Sequence, residues 1–251
     1  MKKLQNEGKC VMKKVLIACL LFLTACSSDK VVEGESTPEE IYLKAYKAFQ
    51  ETDYEKAAEE FDKIEQQYPY SEWAERAQIM MAYSQYKRNE YTDAIMTLDR
   101  FLQLHPGNRN ASYALYLKAL SYFEQMSDPL REQEMSQKAD DTFRELLARF
   151  PNSVYAEDAK AKLEIIQNTL AGKELAVGRY YQQHEDYIAA MNRFQAVLKE
   201  YPKSNQVEEA LYRLSACYQA LGLTHQAGEV FQELKAKYPK SEWIKYADKL
   251  F

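Results

Sequence analysis

The chain has 251 residues, a formal net charge of −5, and only seven glycines and seven prolines. So few turn-forming residues argue against a turn-rich β fold and favour helices. The acidic balance argues against a nucleic-acid partner, which would need a basic surface.

The first 26 residues differ in character from the rest of the chain. Met12-Lys13-Lys14 is a short positive segment, residues 15–23 are apolar, and Leu23-Thr24-Ala25-Cys26 follows. This order is typical of a signal peptide with small residues before its cleavage site. The apolar run is too short to span a bilayer as a stable helix. We therefore predict a signal peptide over residues 1–25.

Leu23-Thr24-Ala25-Cys26 also resembles the lipobox of bacterial lipoproteins, in which the cysteine is acylated and becomes the new N-terminus. The alternative is an ordinary secretory signal in which Cys26 is incidental. Since stable anchoring takes more than one acyl chain, the resemblance implies attachment to a membrane through several chains on Cys26. Ser27 after the cysteine is compatible with sorting to the outer membrane. Residues 26–36 are short and polar, which predicts a flexible tether.

From residue 37 onward the chain repeats itself. Thr37 suits the N-terminal cap of a helix, and Pro38 suits its first position. When the sequence is aligned on five prolines, the residues 12, 8 and 5 positions before each proline are small, large and apolar, and they share one helical face. These residues are Ala57, Phe61, Ile64; Ala94, Leu98, Phe101; Ala139, Phe143, Leu146; Ala190, Phe194, Val197; and Ala227, Phe231, Leu234. A second small residue stands twelve positions further upstream in four units, namely Ala45, Ala82, Gly178 and Ser215.

This pattern resembles the tetratricopeptide repeat, a pair of antiparallel helices in a unit of about 34 residues. Two longer intervals between prolines predict an insertion at Met126–Gln133 and one helix of about 30 residues over 154–184. We therefore predict an all-α fold, a superhelical array of five tetratricopeptide-like helix hairpins with one long helix between the third and fourth units. The N-terminal repeats 1–3 would occupy residues 37–153. The long helix and repeats 4–5 would occupy residues 154–251, with an amphipathic segment at 242–251 covering the open end.

A serine follows four of the five prolines at the second position. Side-chain oxygens of serine accept hydrogen bonds from the free backbone N–H groups at helix starts. The sequence therefore predicts that each of these serines caps the next helix. They are Ser71, Ser153, Ser204 and Ser241.

The sequence lacks the motifs of common catalytic and cofactor sites. It has no Gly-rich phosphate loop, no His-Glu-x-x-His, no closely spaced pair of cysteines and no Gly-x-Ser-x-Gly. His184-Glu185-Asp186 lies where a helix should give way to a turn, which favours a solvated loop over a metal site. We therefore expect no enzyme activity, no metal and no cofactor.

Twenty tyrosines are concentrated in the first helix of each unit. In tetratricopeptide arrays these first helices line the ligand groove, and aromatic side chains offer large amphipathic contact area to an extended peptide. The alternative is that the rings fill the joints between neighbouring units. The predicted groove residues are Tyr42, Tyr46, Phe49, Ile79, Tyr83, Tyr86, Tyr113, Tyr116 and Phe123.

Several segments, together with the lipobox and the repeats, resemble the corresponding segments of the BamD family, also called YfiO or ComL. These are lipoproteins of the machinery that inserts β-barrel proteins into the Gram-negative outer membrane. The similarity covers essentially the whole mature chain. The segments are Glu40-Ile41-Tyr42, Asp99-Arg100-Phe101, Phe150-Pro151-Asn152-Ser153, 174–181 and Asn192-Arg193-Phe194.

The resemblance implies a scaffold at the periplasmic face of the outer membrane with several partners. The C-terminal units would dock on a POTRA domain of the BamA subunit, with Arg193 and Glu174 as candidate contacts. The N-terminal units would receive the C-terminal targeting signal of unfolded barrel proteins, which ends in an aromatic residue. Small accessory lipoproteins are further expected partners. The insertion in the third unit is shorter than in some members, which puts a contact through that loop in doubt.

Two other functions compete with this interpretation. One is another repeat-containing lipoprotein adaptor, such as a pilotin or a peptidoglycan-associated scaffold. The other is an enzyme with a cofactor-free site, which the missing catalytic motifs disfavour.

Overall fold

The computed structural model of the chain describes residues 36–249. The predicted signal peptide over residues 1–25, the lipidation site Cys26 and the tether up to residue 35 lie outside the described residues.

Every regular element in the described part of the chain is a helix, which confirms the all-α prediction. Numbered in chain order, the helices are α1 Pro38–Gln50, α2 Tyr54–Gln67, α3 Glu72–Lys87, α4 Tyr91–Leu104, α5 Ala111–Phe123, α6 Glu134–Arg149, α7 Ala156–Gln183, α8 Tyr187–Glu200, α9 Val207–Ala220, α10 Thr224–Lys237 and α11 Trp243–Ala247.

Consecutive helices pack as hairpins and each hairpin packs on the next. Helix α1 pairs with α2, α3 with α4, α5 with α6, α7 with α8, and α9 with α10. The first helix of each following hairpin also packs on the second helix of the preceding one, and the buried residues of the described chain form four core clusters along the array. The short helix α11 packs on α9 and α10, where the prediction placed a terminal cover.

The small, large and apolar positions of the repeat form this core. All fifteen are buried, and so are the four small residues of the first helices. Gly178 shows why these positions are small: a Cβ built on it would lie 2.5 Å from a ring carbon of Phe194. The two helices of this hairpin are therefore closer together than any larger residue would allow.

Helix α7 has 28 residues, and the predicted long helix is confirmed. Its first half packs on α6 through Ala159 and Ile166, whereas its second half packs on α8 through Ala171 and Leu175. The insertion of the third unit forms the connection over residues 124–133, between α5 and α6.

The serine caps follow the prediction only in part. Ser71 caps α3, with its Oγ accepting the Ala74 N–H at 3.2 Å, and the Oγ of Ser241 accepts the first N–H of α11 at 3.3 Å. The prediction is wrong for Ser153 and Ser204. At both places a turn closes on the serine's backbone carbonyl, and the helix begins three residues later without a side-chain cap.

We expect Gly178→Ala to lower the free energy of unfolding by about 1–3 kcal/mol, because the added methyl overpacks against Phe194. The matched control is Gly228→Ala in α10, where a Cβ would meet nothing within 4 Å. There the loss of glycine's flexibility should raise stability by about 0.5–1 kcal/mol. Urea unfolding followed by circular dichroism measures both. Equal effects of the two substitutions would contradict the tight hairpin.

Candidate functional site

Aromatic side chains of α1 and α3 form one continuous row, which we call the aromatic row. Tyr42, Tyr46 and Phe49 follow one another along α1, with successive ring centroids 6.3 and 6.1 Å apart. The row crosses to α3 where Phe49 meets Tyr83 at 5.7 Å, and Tyr86 stacks on Tyr83 at 6.4 Å. These are five of the nine residues predicted for the groove.

A second aromatic group surrounds the start of α7. Tyr113 and Tyr116 of α5 face Tyr155, with ring centroids at 5.5 and 4.7 Å. Tyr155 was not predicted as a site residue, because it precedes α7 in a turn and not in the first helix of a unit. In the sequence, only the position of Tyr155 directly before the long helix could have indicated that it belongs to the site.

The two remaining predicted groove residues lie elsewhere. Ile79 has only 7% of its surface exposed and packs in the core cluster with Leu98 and Phe101, so it offers little surface to a ligand. Phe123 is half-buried at the end of α5, with the Nζ of Lys162 4.8 Å from its ring centroid.

The rings fill the joints between units and also leave surface exposed. Tyr42 packs on Trp73 at 4.9 Å, and Phe49 on Tyr83, each across a boundary between neighbouring units. Trp73 is an aromatic contact that the repeat register did not indicate. Tyr46 keeps 39% of its surface exposed between its two stacked neighbours. Packing between the units therefore leaves part of the aromatic row exposed.

Three phenols of the two aromatic groups, those of Tyr86, Tyr113 and Tyr116, are held in the protonated form. Burial, followed by the nearby Glu124 carboxylate, raises the pKa of Tyr86 to about 12, and its O–H donates to Glu124 at 3.3 Å. Burial also raises the pKa of Tyr113. Burial and a 2.7 Å hydrogen bond to Asp158 raise the pKa of Tyr116. The rings of these three tyrosines are therefore uncharged, and the hydroxyls of Tyr86 and Tyr116 donate hydrogen bonds.

Arg193 and Glu174 meet in the α7–α8 hairpin. The Nη1 of Arg193 lies 3.0 Å from the Oε2 of Glu174, with 45% and 20% of the two side chains exposed. The structure thus brings together the two residues predicted from separate helices. Burial, followed by the carboxylates of Glu200, Glu174 and Asp140, raises the pKa of the Tyr201 phenol.

Two further properties of the described residues bear on function. No group of three or more His, Cys, Asp or Glu side chains among residues 36–249 is arranged to hold a metal ion. Within the same residues no helix is both long and apolar enough to cross a membrane.

The YfiO family model, described as outer membrane lipoprotein, matches residues 34–234. This chain belongs to the YfiO family. A relative from Rickettsia prowazekii named outer membrane protein assembly factor BamD is 37% identical, over 95% of this chain and 97% of its own length. Relatives of the same name from Caulobacter vibrioides and Neisseria meningitidis serogroup A are 35% and 33% identical. These alignments cover 95% and 94% of this chain, and 79% and 95% of the relatives.

Two solved structures are also similar to this YfiO-family chain. The TPR domain of P58(IPK) matches with a TM-score of 0.46 and 16% identity, over 85% of this chain. This chain spans 54% of that structure's length. The MamA protein matches with a TM-score of 0.41 and 20% identity, over 82% of this chain and 96% of its own.

We expect stability to fall as the pH rises from about 10 to 12. Below pH 10 the phenol of Tyr86 is protonated in both states and the stabilisation is complete. Above that pH the unfolded chain loses this proton first, because the folded pKa is about 12. Tyr86→Phe and Glu124→Gln should each make the fall shallower, as measured by urea unfolding at a series of pH values. Parallel curves for all three proteins would refute this.

Proposed function

We propose that this YfiO-family protein is a lipid-anchored scaffold of the outer-membrane β-barrel assembly machinery. The observation that carries the proposal is the similarity to BamD assembly factors over nearly the whole chain. Cys26 would hold the acyl chains at the periplasmic face of the outer membrane. Small accessory lipoproteins of the machinery are further partners in this proposal.

Residues 37–153 are proposed to receive the targeting signals of unfolded barrel proteins. The aromatic row supports this part, because its rings are already packed in place and offer an uncharged surface to an extended peptide. The Nζ of Lys87 lies 5.7 Å from the Tyr83 ring centroid, beside the row. A signal that ends in an aromatic residue could stack its ring on the row and place its terminal carboxylate near Lys87.

We expect Tyr46→Ala to weaken binding of a synthetic peptide that carries such a C-terminal signal, by about tenfold if Tyr46 is a central contact. Tyr70→Ala is the matched control, since Tyr70 is fully exposed in the turn between α2 and α3 and lies outside the row. Fluorescence anisotropy with the labelled peptide measures both. If Tyr46→Ala binds as well as wild type, the row is joint packing only.

Residues 154–251 are proposed to dock on a POTRA domain of BamA through Arg193 and Glu174. Glu174 holds the guanidinium in place through one N–H group, while nearly half of the Arg193 side chain stays exposed. A guanidinium has five N–H donors, so most of them remain available to a carboxylate of the partner. The internal ion pair thus orients Arg193 without occupying it.

We expect Arg193→Glu to weaken binding to the purified POTRA domains of BamA by about tenfold or more, because it puts two carboxylates side by side and repels the partner's acid. The double variant Arg193→Glu with Glu174→Arg restores an internal pair. It should recover stability but not binding. Arg109→Glu, an exposed substitution in the N-terminal part, is the control. Calorimetric titration and urea unfolding separate the two effects.

Two other outcomes would contradict these proposals. Full binding by the double variant would mean that the pair only supports the hairpin. If wild type binds no POTRA domain, and a mild-detergent pull-down from the envelope recovers pilus or cell-wall components instead, the protein is a lipoprotein adaptor of another system.

A further inference from the structure

A cleft lies where α7 extends beyond the end of its hairpin partner α8. Helix α8 has 14 residues against the 28 of α7, and the two run antiparallel, with Phe194 beside Gly178 and Arg193 beside Glu174. Just after α8 ends, the Asn205 N–H donates to Asn168 at 2.9 Å. Residues 160–167 of α7 therefore continue beyond α8, with α6 on one side. We call the resulting space the junction cleft.

The junction cleft has a volume of 720 Å³, within the range of sites that hold ligands. Leu163 and Pro202 provide apolar surface in it. Its charged lining consists of Arg144, Lys160, Lys199 and Lys203 together with Glu164 and Glu200. The cleft thus carries two net positive charges, in a chain whose formal net charge is −5.

The cations of the cleft differ in how they are held. Arg144 is paired with Asp140 and Lys160 with Glu157, both at 2.6 Å. For Lys199 and Lys203 the described residues contain no ion pair, and both side chains are exposed. Both lysines line the cleft together with Pro202, so they can bind an incoming anion without first breaking an ion pair.

We propose that the junction cleft binds a short, extended acidic segment of a protein partner. Apolar side chains of the segment pack on Leu163 and Pro202, and its carboxylates pair with Lys199 and Lys203. A smaller space next to the cleft shares Arg144 and adds Asp140 and Asp141, so that end repels further acids. The carboxylates of the segment therefore lie toward Lys199 and Lys203 and away from Asp140 and Asp141. This surface is distinct from the aromatic row.

The test uses the full chain in mild detergent and a rhodamine-labelled peptide of four Glu-Leu repeats, followed by fluorescence anisotropy. In an extended conformation this peptide carries its carboxylates on one side and its leucines on the other. We expect saturable binding that weakens as salt is added. The same peptide with lysine in place of each glutamate should not bind.

Matched substitutions locate the binding. Lys203→Glu should weaken it about fivefold, as expected for replacing one attraction at an exposed site with a repulsion. Lys240→Glu should change it less than about twofold under the same reasoning, since Lys240 is the repeat equivalent of Lys203 one unit later and lies outside the cleft. Leu163→Trp should block the cleft, whereas Ile165→Trp, on the exposed surface of the same helix, should not. Circular dichroism confirms that each variant is folded.

Three results would overturn the proposal. They are no saturable binding of the acidic peptide, equal binding of the lysine peptide, and equal effects of Lys203→Glu and Lys240→Glu. None of these results would affect the proposals on the POTRA domain and on the targeting signals of barrel proteins, because those are tested with other probes and other variants.

Discussion

The fold depends on the close approach of the two helices of a hairpin at one small residue, which is present in four of the hairpins. Gly178 against Phe194 is the clearest case, because the space of a single methyl group separates a packed hairpin from a clash. Ala45, Ala82 and Ser215 are fully buried at the same place in other units. The aromatic row lies beside this contact: Tyr42 and Phe49 pack against the same core cluster as Ala45, whereas Tyr46 is turned further toward the solvent.

The length of α7 is the second constraint. Helix α3 packs on both α2 and α4 with only 16 residues, whereas the 28 residues of α7 pack on α6 with one half and on α8 with the other. The extra turns that make this possible leave a stretch of α7 beyond the end of α8. The Arg193–Glu174 pair and the junction cleft both lie near this change of partner.

Much of the fold could be predicted because the repeat register encodes it directly. One spacing of small, large and apolar residues gave the buried face of five helices, and the lack of helix breakers gave the length of α7. The repeat register does not by itself predict which side chains a residue contacts. Ile79 has the spacing of a groove residue but packs inward, and Tyr155 joins the aromatic groups from a turn that no helical spacing describes. Ser153 and Ser204 do not cap their helices, because two further residues separate each serine from the first residue of the helix.

The two interpretations of the tyrosines, joint packing and ligand binding, are physically compatible. A ring that is already stacked on its neighbours has lost most of its rotamer freedom on folding, so binding a ligand costs it little further entropy. Joint packing would then be what prepares the surface, and truncating a deeply packed ring such as Tyr42 would damage stability and binding together. Tyr46 is different, because it stacks within its own helix and keeps the largest exposed fraction in the row. At that position the loss of a ligand contact can be separated from the loss of a joint.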